Sequence, residues 1–319
     1  MIDTKRHKIN QDVHMSLLVR NMLLGLLVLM FVQISGCGSG SKSIFDIVKE
    51  GDTEQLRKIL EKDPSLANTQ YQEAGYRGQS PLHFARREEV VEILIDAGAN
   101  VMARESVGLT PLHKTTTGEA AQALIDAGAD VMAENPKGLT PLHTAENAEV
   151  AEVLIDNGAD VNFVKVPEWY ERSGGNTHLS ETPLYWAILG NRADVVRVLL
   201  EYGADPHQPL NKERTLLHHA ARYGSNSAEI IDLLLEYLEV DSTDEYNATP
   251  LHLAAVHNKL KAAERLIEAG ADIYATLEAG VTITEGLGGG KFYAGNATPL
   301  IAARTDEMRE LLKEYGATE

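Results

Sequence analysis

Cysteine is almost missing from this chain: Cys37 is the sole thiol, so neither an internal disulfide nor a cysteine-based metal site can form. Cations are scarce as well, 29 Lys and Arg against 47 Asp and Glu, a formal net charge of −18. Without residues 1–36, which hold four Lys or Arg and two Asp, the balance is −20. Nucleic-acid binders grip phosphates with clustered cations, so this balance argues against a nucleic-acid partner and suits a basic protein. Aromatics are only 6% of residues. No apolar run reaches the ~20 residues that span a bilayer, because Met22 to Ile34 is too short and extending it backwards meets Arg20 and Asn21. Neither H-E-x-x-H nor G-x-S-x-G occurs, and no paired carboxylates sit in a recognisable catalytic setting.

What the chain does have is periodicity. A Thr-Pro-Leu-His-like tetrad returns at Ser80, Thr110, Thr140, Thr182, Thr215, Thr249 and Thr298, in steps of 30, 30, 42, 33, 34 and 49 residues. After Ser80 comes Pro81, suited to a first helical position where a missing N–H costs nothing. Val90, Val91, Leu94 and Ile95 then recur at helical spacing, which leaves Glu88, Glu89, Glu92 and Asp96 for water. Gly98 reads as a left-handed helix cap, and the same closure returns at Gly128, Gly158, Gly203, Gly270 and Gly316.

Tetrad and closure together, at a period near 33, resemble ankyrin repeats over residues 43–319. The resemblance implies an all-α solenoid of helix-turn-helix units joined by β-hairpin loops, with one shared core. The units run about 43–79, 80–109, 110–139, 140–181 with an insertion, 182–214, 215–248, 249–297 with an insertion, and 298–319. The units starting at Ser80, Thr110, Thr140 and Thr298 are about three residues short between their helices. Close to one helical turn is missing, so their inner helices should be clipped while the apolar faces stay in phase. Ile44, Ile47, Val48, Leu56, Ile59 and Leu60 form a tetrad-free first unit, and Met308, Leu311 and Leu312 close the last.

Upstream, Lys5, Arg6, Lys8 and Arg20 precede the apolar run, and small residues follow it. That is the layout of a secretory signal peptide over residues 1–36, whichever of Met1, Met15 or Met22 is the start. Ile34-Ser35-Gly36-Cys37 resembles the bacterial lipobox, which implies diacylglycerol on Cys37, a tether over residues 37–42 and an N-terminal lipid as the sole membrane contact. Several acyl chains meet the need for more than one in stable anchoring. Gly38 in place of Asp lacks the usual inner-membrane retention signal, which implies the outer membrane, facing the periplasm.

No enzymatic activity, metal or cofactor is expected. The tetrad histidines His83, His113, His143, His218 and His252 sit one per unit, and helices pack about 10 Å apart, too far to share a zinc that binds nitrogen at about 2 Å. In ankyrin proteins this histidine bonds within and between tetrads. The run Gly286 to Lys291 fails as a phosphate loop, since Phe292 stands where Ser or Thr is required and Glu285 where the first Gly belongs; two short strands around a turn fit it better.

Ankyrin proteins bind partners through hairpin tips and inner helices. The family pattern places Arg104, Ser106, Val107 and Leu109 at one tip and Glu134, Pro136, Lys137 and Leu139 at the next. It puts Asn211, Lys212 and Arg214, then Glu245 and Tyr246, at later tips, with Arg222 and Tyr223 on an inner helix. In the insertions 163–181 and 276–297, Trp169, Tyr170, Phe292 and Tyr293 are natural contact anchors. The expectation is a monomeric, lipid-anchored protein–protein interaction module whose partner is an unknown and by charge basic protein. An inhibitor, an immunity protein or a scaffold would fit; the alternative is an envelope hydrolase with its site in the two insertions.

Overall fold

The computed structural model describes residues 42–72, 77–164, 181–208, 210, 214–223, 228–278 and 296–318. Cys37 and residues 1–36, and with them the signal peptide and lipobox, lie outside the described residues. Helices come in pairs: α1 (Ile44–Glu50) with α2 (Thr53–Lys62), then a 3-10 turn (Pro81–Phe84) with α3 (Glu88–Asp96). There follow α4 (Pro111–Lys114) with α5 (Gly118–Asp126), α6 (Pro141–Thr144) with α7 (Ala148–Asp156), and α8 (Pro183–Leu189) with α9 (Ala193–Glu201). The last pairs are α10 (Leu216–Tyr223) with α11 (Ala228–Leu235), α12 (Pro250–Val256) with α13 (Leu260–Glu268), and α14 (Pro299–Ala302) with α15 (Asp306–Glu314). First helices pack on first helices and second on second along the whole row. One apolar core therefore runs without a break from Ile44 to Ala317.

From the second unit on, the tetrad builds the first helix. Pro occupies its opening turn except in α10, which opens on Leu216, and in α4, α6 and α12 the His ring accepts from the Thr N–H while the His N–H donates to the Thr carbonyl. The Leu between them is the buried knob: Leu82, Leu112, Leu142, Leu184, Leu217, Leu251 and Leu300 are all 3% exposed or less. Each contributes about 2 kcal/mol by leaving water.

The other face of each His ring reaches the next unit. Nε2 donates to the carbonyl just before the following tetrad, from His83 to Leu109 (3.1 Å), His113 to Leu139 (3.1 Å) and His143 to Glu181 (3.1 Å). His218 to Ala248 (2.9 Å) and His252 to Ala297 (3.2 Å) continue the series. Because Nδ1 accepts from the tetrad's own N–H and hydroxyl, the proton must sit on Nε2, so all five rings are neutral in one tautomer. Two of these hooks clamp the far ends of the insertions, at Glu181 and Ala297.

The clipping expected of the short units is present. Pro81–Phe84, α4, α6 and α14 are four residues each, against seven or eight in α8, α10 and α12. Carbonyls stranded by the missing turn are taken by side chains of the following unit. Thr117 Oγ1 donates to Arg86 O (3.0 Å), Thr144 Oγ1 to His113 O (2.9 Å) and Asn147 Nδ2 to Thr116 O (2.7 Å). Where the clipped α6 meets the full α8, Arg192 donates to the carbonyls of His143, Ala145 and Trp186. The sequence reading did not foresee these staples.

Second helices are amphipathic, with Val90, Val91 and Leu94 fully buried and Glu88, Glu89, Glu92 and Asp96 exposed. They end on the expected left-handed glycines, φ +84 at Gly98 to +98 at Gly316. One expectation fails: among the described residues the loops contain no strand. The tip polar side chain takes the ladder's place. Glu105, Asn135 and Asp244 each accept two N–H groups of their own loop, and one backbone pair, such as Glu105 N to Leu109 O at 3.0 Å, closes it.

The hooks imply a pH dependence. Burial holds the imidazoles of His113, His143, His218 and His252 down to about 4, from an ordinary 6.5. A depressed pKa keeps the folded ring neutral, so its stability is complete above pH 6.5 and is lost as acid protonates the unfolded chain first. The unfolding free energy from urea denaturation, and with it the midpoint, should therefore fall from pH 7 to 5, above the carboxylate range, by on the order of 1 kcal/mol per histidine per pH unit. A midpoint constant over that interval would contradict the burial described.

Candidate partner-docking face

Tips of successive loops stack edge to edge. Ser106 N donates to Arg77 O at 3.0 Å, and Gly108 (φ +81) lies so close to Pro136 that a Cβ would stand 2.3 Å from its Cδ. Such tips form a ridge rather than separate fingers. Along it Ser106, Val107, Pro136, Lys137 and Glu245 are exposed, Val107 by 60%. Arg104 is exposed too, yet its guanidinium bridges Gly108 O (3.1 Å) and Glu134 O (2.7 Å), fastening one tip to the next. Leu109, Glu134 and Tyr246 are half-buried; the Leu109 carbonyl accepts from the His83 ring, and the Tyr246 carbonyl accepts from Glu278 N of the next loop.

Leu139 and Arg214, placed at the tips by the repeat pattern, are buried instead, 7% and 6% exposed. Leu139 carries the carbonyl that His113 grips. Arg214 Nε donates to Asp244 Oδ2 at 3.0 Å, while the other oxygen of Asp244 holds its own loop. Both residues stand one place before a tetrad, where the chain dives under the preceding unit; that burial takes them off the accessible face. Trp169, Tyr170, Asn211, Lys212, Phe292 and Tyr293 lie outside the described residues.

On the first-helix side, Tyr223 is 44% exposed and stacks on His219 (5.7 Å), which meets Tyr185 edge-on at 5.2 Å. The Arg222 guanidinium lies 4.6 Å from the Tyr223 ring centre. At the N-terminal end Phe45, Tyr71 and Phe84 form a second aromatic group with centroids 4.8 to 5.8 Å apart, and the Lys49 ammonium sits 4.5 Å from Phe84. Sequence reasoning missed this group because Tyr71 belongs to a tetrad-free unit. The signal was an aromatic at the inner-helix positions of Phe45 and Phe84. In α12 Leu253, which matches Phe84, clusters with Val256 and with Leu277 and Ala297 at the two ends of the second insertion.

Charge is divided between the two rows. Exposed acids crowd the second helices: Glu88, Glu89, Glu92 and Asp96 on α3, Glu264 and Glu268 on α13, Asp306, Glu307, Glu310 and Glu314 on α15. The exposed charges after the first helices include the cations Arg86, Lys114 and Arg304 beside Glu146. The strongly negative total is thus a property of the back of the solenoid more than of its inner face. Among the described residues no group of three or more His, Cys, Asp and Glu could hold a metal ion, and no helix is long and apolar enough to cross a membrane. An open cleft of about 540 Å³ beside the first two tips is lined by Asn68, Gln70, Ser80, Asn100, Met102, Ala103 and Arg104; the Ser80 hydroxyl lies 3.0 Å from His83 Nδ1, the same contact that the other tetrads make.

A family model described as ankyrin repeats (3 copies) matches residues 44–135, 87–165, 116–209 and 205–276. The chain belongs to the ankyrin repeat family. Ankyrin repeats are protein–protein interaction modules and typically not enzymes. Curated relatives align with short stretches of this ankyrin chain. The neurogenic locus notch homolog protein 4 of Homo sapiens is 42% identical over 94 residues, 29% of this chain and 5% of that protein. NF-kappa-B inhibitor alpha of Sus scrofa is 30% identical over 105 residues, 31% of this chain and 33% of that one. RelA-associated inhibitor of Mus musculus is 36% identical over 100 residues, 31% and 12% of the two chains. The match thus spans a third or less of these relatives' length. Among solved structures, the human ASB11 ankyrin repeat domain superposes with a TM-score of 0.56 at 21% identity, covering 76% of this chain and 100% of that one, a likeness of fold alone.

The buried pair gives a structural prediction. In this ankyrin array Arg214→Met would leave the Asp244 carboxylate buried without its cation, so urea denaturation should show a loss of about 3 kcal/mol or more. A loss under about 1 kcal/mol would mean that Arg214 is not the internal strut described.

Proposed function

We propose that this protein is a non-enzymatic docking module held at the bacterial envelope by lipid on Cys37, binding a protein partner with its tip ridge and inner face. The observation that carries the reading is the order of parts. An apolar segment ends in a lipobox-like Ile34-Ser35-Gly36-Cys37, a short polar tether follows, and an ankyrin array begins at Ile44. The first helix is capped by Ser43, six positions after Cys37 in the sequence, whose hydroxyl makes a reciprocal box with Asp46. Gly38 favours the outer membrane, with the array facing the periplasm.

An inhibitor or immunity protein is the sharper form of this reading. Two of the similar proteins carry the word inhibitor in their names, and a tethered solenoid is placed to cap a toxin or enzyme that enters the periplasm. A toxin gene beside this one would favour immunity, and an oxidative-stress enzyme gene would favour a scaffold for envelope enzymes.

Mass spectrometry of the membrane fraction tests the anchor. The native protein should appear as a mature chain beginning at an acylated Cys37, and Cys37→Ser should move it into the soluble periplasmic fraction. An unmodified, soluble Cys37 in the native protein would end the lipoprotein reading.

A further inference from the structure

At the ends of the inner helices furthest from the loops, cations gather in an otherwise acidic protein. Thr305 Oγ1 donates to Asn258 Oδ1 at 2.6 Å, which brings the end of α14 against the corner after α12. Arg304 and His257, each one residue earlier, are thereby neighbours, Arg304 exposed and His257 half-buried. From the α10 side comes Arg222, laid against the exposed Tyr223 ring, with His219 stacked behind it. The field is felt locally: the His257 imidazole is held down to about 4, first by burial and then by Arg222, Arg304, Lys259 and Arg214. Of these, Arg214 is already matched by Asp244. A helix's carbonyl end favours cations, but Arg304 follows a helix of a single turn, so the dipole does not account for it.

We propose that the strip of surface from Tyr223 through His257 to Arg304 receives an acidic segment of the protein partner, its carboxylates meeting Arg304 and Arg222 and an adjacent apolar or aromatic side chain lying on Tyr223. This rests on the docking reading above and deepens it, replacing a basic partner by an acidic contact segment at this part of the face. Charge complementarity selects the class: the site is cationic and flanked by aromatic surface, while the remainder of the molecule repels polyanions. A short peptide with a few carboxylates fits this layout, and a nucleic acid does not.

A random-peptide display library panned on the purified periplasmic chain, residues 38–319, tests this. Sequences rich in Asp and Glu with an apolar neighbour should be enriched. Synthetic copies should bind Arg304→Glu at least tenfold more weakly than the native chain, and Arg304→Gln by an intermediate factor. Binding should weaken as salt rises, and both variants should keep the native urea midpoint because Arg304 is exposed. Enrichment of basic sequences lost on Tyr223→Ala would overturn the acidic class while leaving the docking face standing. Acidic peptides that bind Arg304→Glu as well as the native chain, or a single-stranded oligonucleotide that binds as tightly, would overturn the proposal. No enriched sequence at all would count against both readings.

Discussion

One hydrogen bond, repeated five times, organises this molecule: the tetrad histidine holds its own helix start with Nδ1 and the next unit's chain with Nε2. An ankyrin unit cannot bury its apolar face alone, so a contact that fixes spacing and angle between units decides whether the leucine layers interlock. The hook does this where water is excluded, and an unmade bond there would cost the full desolvation of a carbonyl. It requires a neutral ring, and burial keeps the ring neutral. Spacing, packing and protonation state thus depend on one another.

The departures from the pattern follow the same logic. In the last tetrad Ile301 replaces histidine and is 51% exposed; Thr298 Oγ1, which meets the ring in the histidine tetrads, is here buried without a partner. In the fourth tetrad Tyr185 replaces it and turns towards His219 on the inner face. At the end of that unit Arg214 pairs with Asp244 of the next, tying consecutive loops with an ion pair. Where three residues are missing from a unit, Thr117, Thr144, Asn147 and Arg192 take up the stranded carbonyls, so short and full units coexist in one row.

Much of this was legible beforehand because it depends on local chemistry. Proline at a helix start, glycine at φ near +90° and leucine at fixed spacing act within a few residues, so unit phase, clipped inner helices and terminal closures could be read from the chain. Long-range pairings could not. Nothing near Arg214 announces that it faces Asp244 thirty residues on, so a tip position was assigned to a buried strut. The net charge of −18 could not be placed in the same way: it is a sum over the chain, and only the fold assigns many of its acids to the second-helix row and cations such as Arg222 and Arg304 to the inner face. The strands expected in the loops are replaced by Glu105, Asn135 and Asp244, a substitution that three separate side-chain choices conceal.

Nitrogen-15 NMR of the histidine rings at pH 6 tests the central claim most directly. The account predicts that His83, His113, His143, His218 and His252 are neutral and carry their proton on Nε2, each with that proton slow to exchange. Rings that titrate near 6.5, or that hold the proton on Nδ1, would contradict it.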